Sequence, residues 1–352
     1  MRRRAWILGA AAVVAVALVA AVALERGQRG ESVEVTGFAM GTFVRVVAEG
    51  PGAEEAAAQV MPLLQAMTQA LDRFDPDSDV SLINRRAGLG PVQVQAGTVQ
   101  VVADALRMAR LTEGAFDPTI GPLVDLWGFV EGEEGAAPQE GDGTVRGRRP
   151  PDPEAIREAL ARVGYGHLTV DAGARTVELA LPGMILDLGG IAKGAAVDRL
   201  AELFKEAGVP RALIDLGGNL YALGRKADGS PWRVGIRHPR DPGAVIAVVE
   251  AADVALATSG DYERYFIHDG VRYSHLLDPR TGYPARELAA VTIVAPRGAD
   301  ADGLSTAVFV LGPDQGARLV EQLPGVEAVF IDTAMNVTYT SGLEGRIQVM
   351  EP

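Results

Sequence analysis

The pattern of this chain predicts an α+β fold, with mixed, largely antiparallel sheets and packed helices, preceded by one transmembrane or signal helix. Strand-like runs follow one another with few helices between them, which is the order of an α+β fold and not of alternating βαβ units. Two long segments, Ala53 to Leu71 and Ile191 to Ala207, repeat apolar residues at helical spacing. At the N-terminus, Arg2, Arg3 and Arg4 precede an uncharged stretch from Ala5 to Leu24. As a helix rising ~1.5 Å per residue, that stretch reaches roughly 30 Å, about one hydrocarbon core.

The arginines hold the N-terminus in the cytoplasm and place the body beyond the membrane. The stretch reads as a retained anchor; the alternative is a signal peptide cut at Ala21-Val-Ala23. The body is exported in either case. Its expected place is the extracytoplasmic (periplasmic) face of a bacterial inner membrane, or outside the cell if the segment is cut. Residues 1–30 then form anchor and tether, and 31–352 one large domain.

Within that domain, Val33 to Val47 is rich in β-branched residues and interrupted at Gly41-Thr42, so it reads as one or two strands. Ala53 to Leu71 is a helix with Val60, Leu63, Leu64, Met67 and Leu71 on one side. Asp75-Pro-Asp-Ser78 makes a turn, after which Ser78 or Asp79 caps a short helix. A further helix covers Gly97 to Thr112. From 131 to 152, Gly, Glu, Pro and Arg displace nearly all large apolar residues, so this segment reads as a flexible loop insertion. Glu154 to Val163 is a short amphipathic helix. Strands are expected at His167–Asp171, Thr176–Leu181 and Met184–Leu188, with hairpin turns at Ala172-Gly173 and Pro182-Gly183. In the helix from Ile191, Val197, Leu200, Ala201 and Phe204 form the apolar stripe, Asp198, Arg199, Glu202 and Lys205 face water, and Gly208 stops it. Later strands are Ala212–Leu216, Trp232–Arg237, Val245–Val249 and Ala290–Ala295, and later helices Ala301–Leu311 and Gly316–Leu323.

Composition excludes several chemistries. Cysteine is absent, so disulfides, thiolate nucleophiles, cysteine-ligated zinc and a lipidated N-terminal cysteine are all ruled out. A net charge of −13, with no basic run beyond the N-terminus, argues against nucleic acid as a partner. An anionic small ligand must be held by local donors, a helix N-terminus or a metal ion.

Four segments could carry chemistry. Asp187-Leu-Gly-Gly-Ile-Ala-Lys-Gly194 runs into the best helix, where glycines and free amides suit a diphosphate and Lys193 adds a cation. The plainer reading is a tight turn with an exposed lysine. Its tetrapeptide recurs at Asp215–Gly218, and each copy follows an expected strand. Asp302 and Thr306 lie four apart on one helical face beside Ser305, oxygen donors suited to a hard cation such as Mg²⁺; the plainer and commoner reading is a capped helix with Ser/Thr packing. His275, between Tyr273-Ser and Leu-Leu-Asp278-Pro, is the candidate general base; His167, His238 and His268 sit in polar or turn contexts as surface residues. Ala115-Phe-Asp117-Pro-Thr119 leads to Trp127 and Phe129, which either pack a ligand ring or belong to the core.

In this order, these segments resemble the ApbE-type FAD:protein FMN transferases. The likeness is carried by Met40-Gly-Thr42, Phe74-Asp-Pro-Asp-Ser78, Phe116-Asp-Pro-Thr119, Asp187–Gly194, Ser259-Gly-Asp-Tyr262, Ser274-His-Leu-Leu-Asp-Pro279 and Ala301-Asp302. It spans nearly the whole body. It implies FAD contacts at Met40, Phe74, Ala115, Phe116, Asp117, Asp187, Lys193 and Leu277. It implies Mg²⁺ ligands at Asp302, Thr306, the Gly190 carbonyl and Ser305, and a general base at His275. Phe74 stands where several relatives have tyrosine, and Ser305 where some have aspartate. By the same likeness, FAD is split and FMN passes to a threonine or serine hydroxyl of an exported acceptor protein in a membrane redox complex. An FAD pyrophosphatase using the same site is the nearest alternative, and an exported flavin-binding protein without turnover is the alternative of another class.

Overall fold

Backbone hydrogen bonding decides this architecture, and it favours antiparallel pairing throughout the large sheet. The computed structural model describes residues 32–129 and 148–350. The expected N-terminal helix, the cleavage site and most of the 131–152 insertion lie outside them. Among the described residues no helix is long and apolar enough to cross a membrane.

In chain order the strands are β1 (Ser32–Ala39), β2 (Thr42–Glu49), β3 (Val92–Gln93), β4 (Leu168–Asp171), β5 (Thr176–Leu179), β6 (Arg211–Leu216), β7 (Asn219–Leu223) and β8 (Trp232–His238). They continue as β9 (Asp241–Ala251), β10 (Val254–Gly260), β11 (Tyr265–His268), β12 (Val271–Ser274), β13 (Leu288–Ala295), β14 (Glu327–Asp332), β15 (Val337–Tyr339) and β16 (Ile347–Val349). The α-helices are α1 (Ala53–Leu71), α2 (Asp79–Arg85), α3 (Ala96–Leu111), α4 (Gly121–Trp127), α5 (Pro153–Leu160), α6 (Ala192–Glu206) and α7 (Gly298–Val320).

An eight-stranded sheet, ordered β1-β2-β6-β7-β10-β13-β14-β15, forms the centre. Every position of β13 is buried, because both faces of the sheet are covered. Ala255, Ala257, Val291 and Ile293 face the helices and join the main core with Val197, Leu200, Phe204, Leu304 and Val308. Leu256, Ala290 and Val294 point the other way, onto Val234, Ile236, Ala247 and Val249 of the smaller sheet β16-β9-β8. A satellite core is built from α4, α5 and the β11–β12 hairpin, around Leu123, Trp127, Phe129, Ile156, Phe266 and Leu277. Trp127 and Phe129 are therefore core residues, with the Trp127 indole N–H donating to the Gly282 carbonyl at 2.8 Å.

Most expected elements form. The two-strand reading holds for β1 and β2, joined at Met40-Gly41 with both residues at positive φ (51° and 72°). Ser78 caps α2 by accepting from the Ser81 amide at 3.0 Å. The helix over 298–320 breaks at Gly312 (φ 76°), just before Pro313, which accounts for the two separate helices read from sequence.

Expectations for two places in the chain are corrected. Met184–Leu188 is not a strand beyond one bridge, Ile120 to Ile185. Its backbone is bonded elsewhere: the Asn84 side chain takes both the Leu186 amide (2.7 Å) and carbonyl (3.0 Å), and the Asp187 amide donates to the Pro118 carbonyl (2.7 Å). Only the second Asp-Leu-Gly-Gly copy therefore follows a ladder strand, and Pro182-Gly183 closes no hairpin. Asp198 does not face water; its carboxylate accepts the Gly298 amide (2.5 Å) and the Ala299 amide (3.0 Å), capping α7. Lys205 is exposed as expected, and its ammonium donates to the Tyr221 hydroxyl at 2.8 Å.

The α6–α7 crossing has the closest backbone approach of functional interest. A Cβ on Gly194 would collide with the Gly298 carbonyl oxygen and lie 2.6 Å from Asp302 Cβ, and Gly298 meets the Gly194 carbonyl in the same way. Gly194→Ala should accordingly lower unfolding stability in urea by about 1–3 kcal/mol, the usual range for overpacking; an unchanged denaturation midpoint would contradict this crossing.

Candidate functional site

Helix α6 begins without a side-chain cap of its own. Its early amide at Gly194 donates instead to Asp302 Oδ2 of α7, at 2.9 Å. Asp198 of α6 caps α7 in return, so each helix supplies the carboxylate that the other's first turn needs. Asp302 is buried, and the Gly194 amide is the one hydrogen-bond donor to its carboxylate among the described residues. Burial pushes its carboxyl above the usual carboxylate range, against the opposing pull of the Lys193 cation and the Gly194 amide.

Thr306 lies one turn beyond Asp302 and is half-buried. Its hydroxyl faces Gly190: a Cβ on that glycine would lie 3.3 Å from Thr306 Oγ1 and 3.1 Å from the Phe116 ring. Glycine there leaves room for the backbone, Phe116 and Thr306 to converge. Ser305 turns away from Thr306, toward the sheet. Its Oγ is 2.8 Å from Ser259 Oγ on β10 and donates to the Asp302 carbonyl at 2.8 Å.

The strand-to-helix turn is braced from one side by Asp187. One carboxylate oxygen accepts the Gly189 amide at 2.8 Å, and the other lies 2.9 Å from Arg73 Nε. Arg73 also pairs with Asp125 at 2.6 Å, and its guanidinium lies 4.4 Å above the Phe74 ring. The loop bearing both is pinned where Ser81 Oγ donates to the Arg73 carbonyl at 2.7 Å. Phe74 remains 49% exposed, an aromatic face presented beside the turn. The Lys193 ammonium donates to the Gly189 carbonyl at 3.3 Å.

His275 follows β12. Its backbone amide donates to the Arg264 carbonyl at 3.0 Å, and its Nδ1 lies 3.3 Å from the same oxygen. A carbonyl only accepts, so this contact places the proton on Nδ1 and leaves Nε2 as the basic nitrogen. Desolvation, then the Arg264 and Lys193 cations, push the imidazole down to about 3. Lys193 is thus felt by both His275 and Asp302.

The remaining expected positions separate. The Asp117 carboxylate is buried and accepts from the Thr119 amide (2.8 Å), the Thr119 hydroxyl (2.7 Å) and the Tyr165 amide (2.8 Å). Burial raises its pKa, and those donors oppose the rise. Ala115 and Phe116 are buried, Phe116 against Gly190. Leu277 belongs to the satellite core just past His275. Met40 sits on the β1–β2 turn at one end of the large sheet. Sequence reasoning missed Arg73, Asp198 and the Arg264 carbonyl. Asp198 reads as a water-facing charge, no local pattern singles out Arg73, and a backbone carbonyl leaves no mark in a sequence at all.

A profile of the ApbE family matches residues 40–330. The FAD:protein FMN transferase of Treponema pallidum is 40% identical over 325 residues, covering 88% of this chain and 86% of that protein. The protein of the same name from Haemophilus influenzae is 34% identical, covering 87% and 89%. The crystal structure of the ApbE protein from Thermotoga maritima superposes with a TM-score of 0.79 at 34% identity, covering 90% of this chain and 99% of that one. The flavin transferase ApbE from Vibrio cholerae gives 0.77 at 31%, with the same coverage. This chain, by sequence and by fold, belongs to the ApbE family.

Proposed function

We propose that this chain is an FAD:protein FMN transferase, which splits the FAD diphosphate, attaches FMN to a threonine or serine hydroxyl of an acceptor protein and releases AMP. The observation that carries this reading is a buried, underpaired carboxylate, Asp302, beside the Thr306 hydroxyl at a glycine-rich helix start that bears Lys193. Relatives that match 87–88% of this chain at 34–40% identity are FAD:protein FMN transferases by name.

The donor set fits Mg²⁺. A buried carboxylate raised above its usual range is relieved by a cation, and the Thr306 hydroxyl makes no hydrogen bond among the described residues. Asp302, Thr306 and the Gly190 carbonyl would hold the ion, all hard oxygen donors. Ser305 is already engaged by Ser259 and the Asp302 carbonyl, so it supports Asp302 more readily than it ligates. When bound, the ion supplies charge neutralisation at the diphosphate.

The chain's own groups account for the rest. Amides near the start of α6 and the Lys193 ammonium receive the diphosphate. Phe74 offers an open ring face for stacking. The acceptor hydroxyl oxygen attacks the phosphorus of the FMN half, the bond from that phosphorus to the bridging oxygen breaks, and AMP departs with that oxygen. His275 Nε2 takes the hydroxyl proton and returns it to solvent. Bound diphosphate offsets the Lys193 field, so His275 becomes more basic when substrate is present. The acceptor is inferred to be an exported protein of a membrane redox complex. The three arginines ahead of Ala5–Leu24 support anchoring at the periplasmic face.

Three outcomes test this reading. Incubated with FAD, Mg²⁺ and a threonine-bearing acceptor, the wild-type chain should add an FMN-sized mass to the acceptor, and His275→Ala should still bind FAD but transfer at least ~10²-fold more slowly. Undiminished transfer in that variant removes His275 from the mechanism. Asp302→Asn retains an acceptor for the Gly194 amide, so ligand-free thermal stability should hold or rise while activity and its Mg²⁺ dependence drop by about 10²-fold or more; a variant with unaltered Mg²⁺ dependence would place the ion elsewhere. In the ligand-free protein the His275 ring, neutral in the fold, should not titrate by NMR between pH 8 and 5. Unfolded chain binds that proton near 6.5 while folded chain resists it to about 3, so this residue lowers stability as pH falls through that window. A ring midpoint near 6.5 would refute a desolvated ring beside the Arg264 and Lys193 cations.

A further inference from the structure

The second Asp-Leu-Gly-Gly turn, Asp215–Gly218, has no part in the chemistry above. Asp215 closes it by accepting the Gly218 amide at 2.9 Å, and Gly217 and Gly218 both take positive φ (58° and 92°), as a two-residue hairpin requires. It abuts the Met40-Gly41 turn. The Gly217 amide donates to the Phe43 carbonyl at 3.1 Å, and a Cβ on Gly217 would collide with Thr42. Two turns with glycines at positive φ thus share one end of the large sheet.

The residue that follows, Asn219, opens β7 and is only 6% exposed. It shares a strand face with Tyr221 and Leu223, which belong to the helix-side core. Its Oδ1 is buried without a hydrogen-bond partner among the described residues. Leaving such a group unpaired carries the desolvation penalty of a buried polar atom, where a leucine of similar size would carry none. The β7–β10 register pairs Ala255 with Tyr221 and Leu256 with Leu220; one step on, it sets Asn219 opposite Ala257. Ser259 lies two residues further, about 7 Å along the strand, and its hydroxyl meets Ser305 on the helix that carries Asp302 and Thr306. Asn219 therefore sits on the same face and toward the same end of the sheet as the proposed transfer site.

We propose that Asn219 is a substrate-recognition residue whose carboxamide reads a planar ring edge presenting a donor next to an acceptor. This rests on the reading that the chain takes FAD. Phosphate oxygens only accept, so they would leave Oδ1 unpaired. An edge of mixed character satisfies both ends of the amide. FAD carries two such edges, the imide of the flavin (N3–H between two carbonyls) and the amino edge of adenine.

The test compares the full-length wild type with Asn219→Leu and the near-isosteric Asn219→Asp. Each is measured for ligand-free melting temperature and for kcat and KM with FAD, flavin hypoxanthine dinucleotide (adenine edge inverted) and N3-methyl-FAD (imide donor blocked). Asn219→Leu should melt at or above the wild-type temperature, while KM for FAD rises about tenfold or more with little change in kcat. Wild type should discriminate against one analogue, and both variants should lose that discrimination. Discrimination against the hypoxanthine analogue identifies the adenine edge, and against the methylated one the flavin edge. Should Asn219→Leu fold poorly, Asn219→Asp alone decides. Variants that bind FAD like wild type, with the same analogue preferences, overturn the assignment to Asn219. Wild type that neither binds nor cleaves FAD overturns the transferase reading, and this inference falls with it.

Discussion

Two helix starts cross at a pair of glycines, and each is capped by the other's aspartate. That reciprocal arrangement of α6 and α7 is the constraint on which the site depends. Gly194 and Gly298 permit backbone contact, which brings Asp198 onto the Gly298 and Ala299 amides and Asp302 onto the Gly194 amide. Loss of either glycine would force the helices apart and release both caps together. The cap on α6 is also the carboxylate proposed to hold the cation, so the element that stabilises the fold positions the chemistry as well. Only Oδ2 is engaged, which leaves Asp302 with acceptor capacity in a desolvated place.

Electrostatics then follow from which cations are already neutralised. The chain carries a net charge of −13, an unfavourable background for a diphosphate. Arg73, although buried at the turn, is balanced by Asp187 and Asp125 and acts as a brace beside Phe74. Lys193 makes no ion pair among the described residues and donates only to a backbone carbonyl, so its charge reaches both Asp302 and His275. One ammonium thus favours the ionised carboxylate and the neutral imidazole at once, the pairing of states needed for cation binding and proton abstraction.

Supporting groups outnumber those proposed to meet substrate. Asp117 spends its carboxylate on Thr119 and Tyr165, fixing the loop that brings Phe116 against Gly190. The Arg264 carbonyl fixes the His275 tautomer, and Ser259 fixes Ser305 beneath Asp302. Such contacts hold a site to the tolerance that transfer chemistry demands.

The sequence by itself determined the fold class, the long helices, the β1–β2 hairpin and the order of motifs, because periodicity, caps and glycine turns are local properties. Asp302 and Thr306 were legible as a pair since four residues make one helical turn, and His275 because few histidines compete with it. Strands β7 and β10 were not legible: Asn-Leu-Tyr-Ala-Leu and Val-Ala-Leu-Ala-Thr-Ser-Gly are poor in β-branched residues and become strands only between paired neighbours. Met184–Leu188 failed the opposite way, having strand composition but giving its backbone to Asn84 and Pro118. Only tertiary structure could turn Asp198 from a surface charge into a cap, bury Asp117 in a loop, separate Ser305 from Thr306, and leave Asn219 unpaired. Each of those depends on a partner far away in the chain, and no local pattern encodes which distant donor or acceptor a polar side chain will meet.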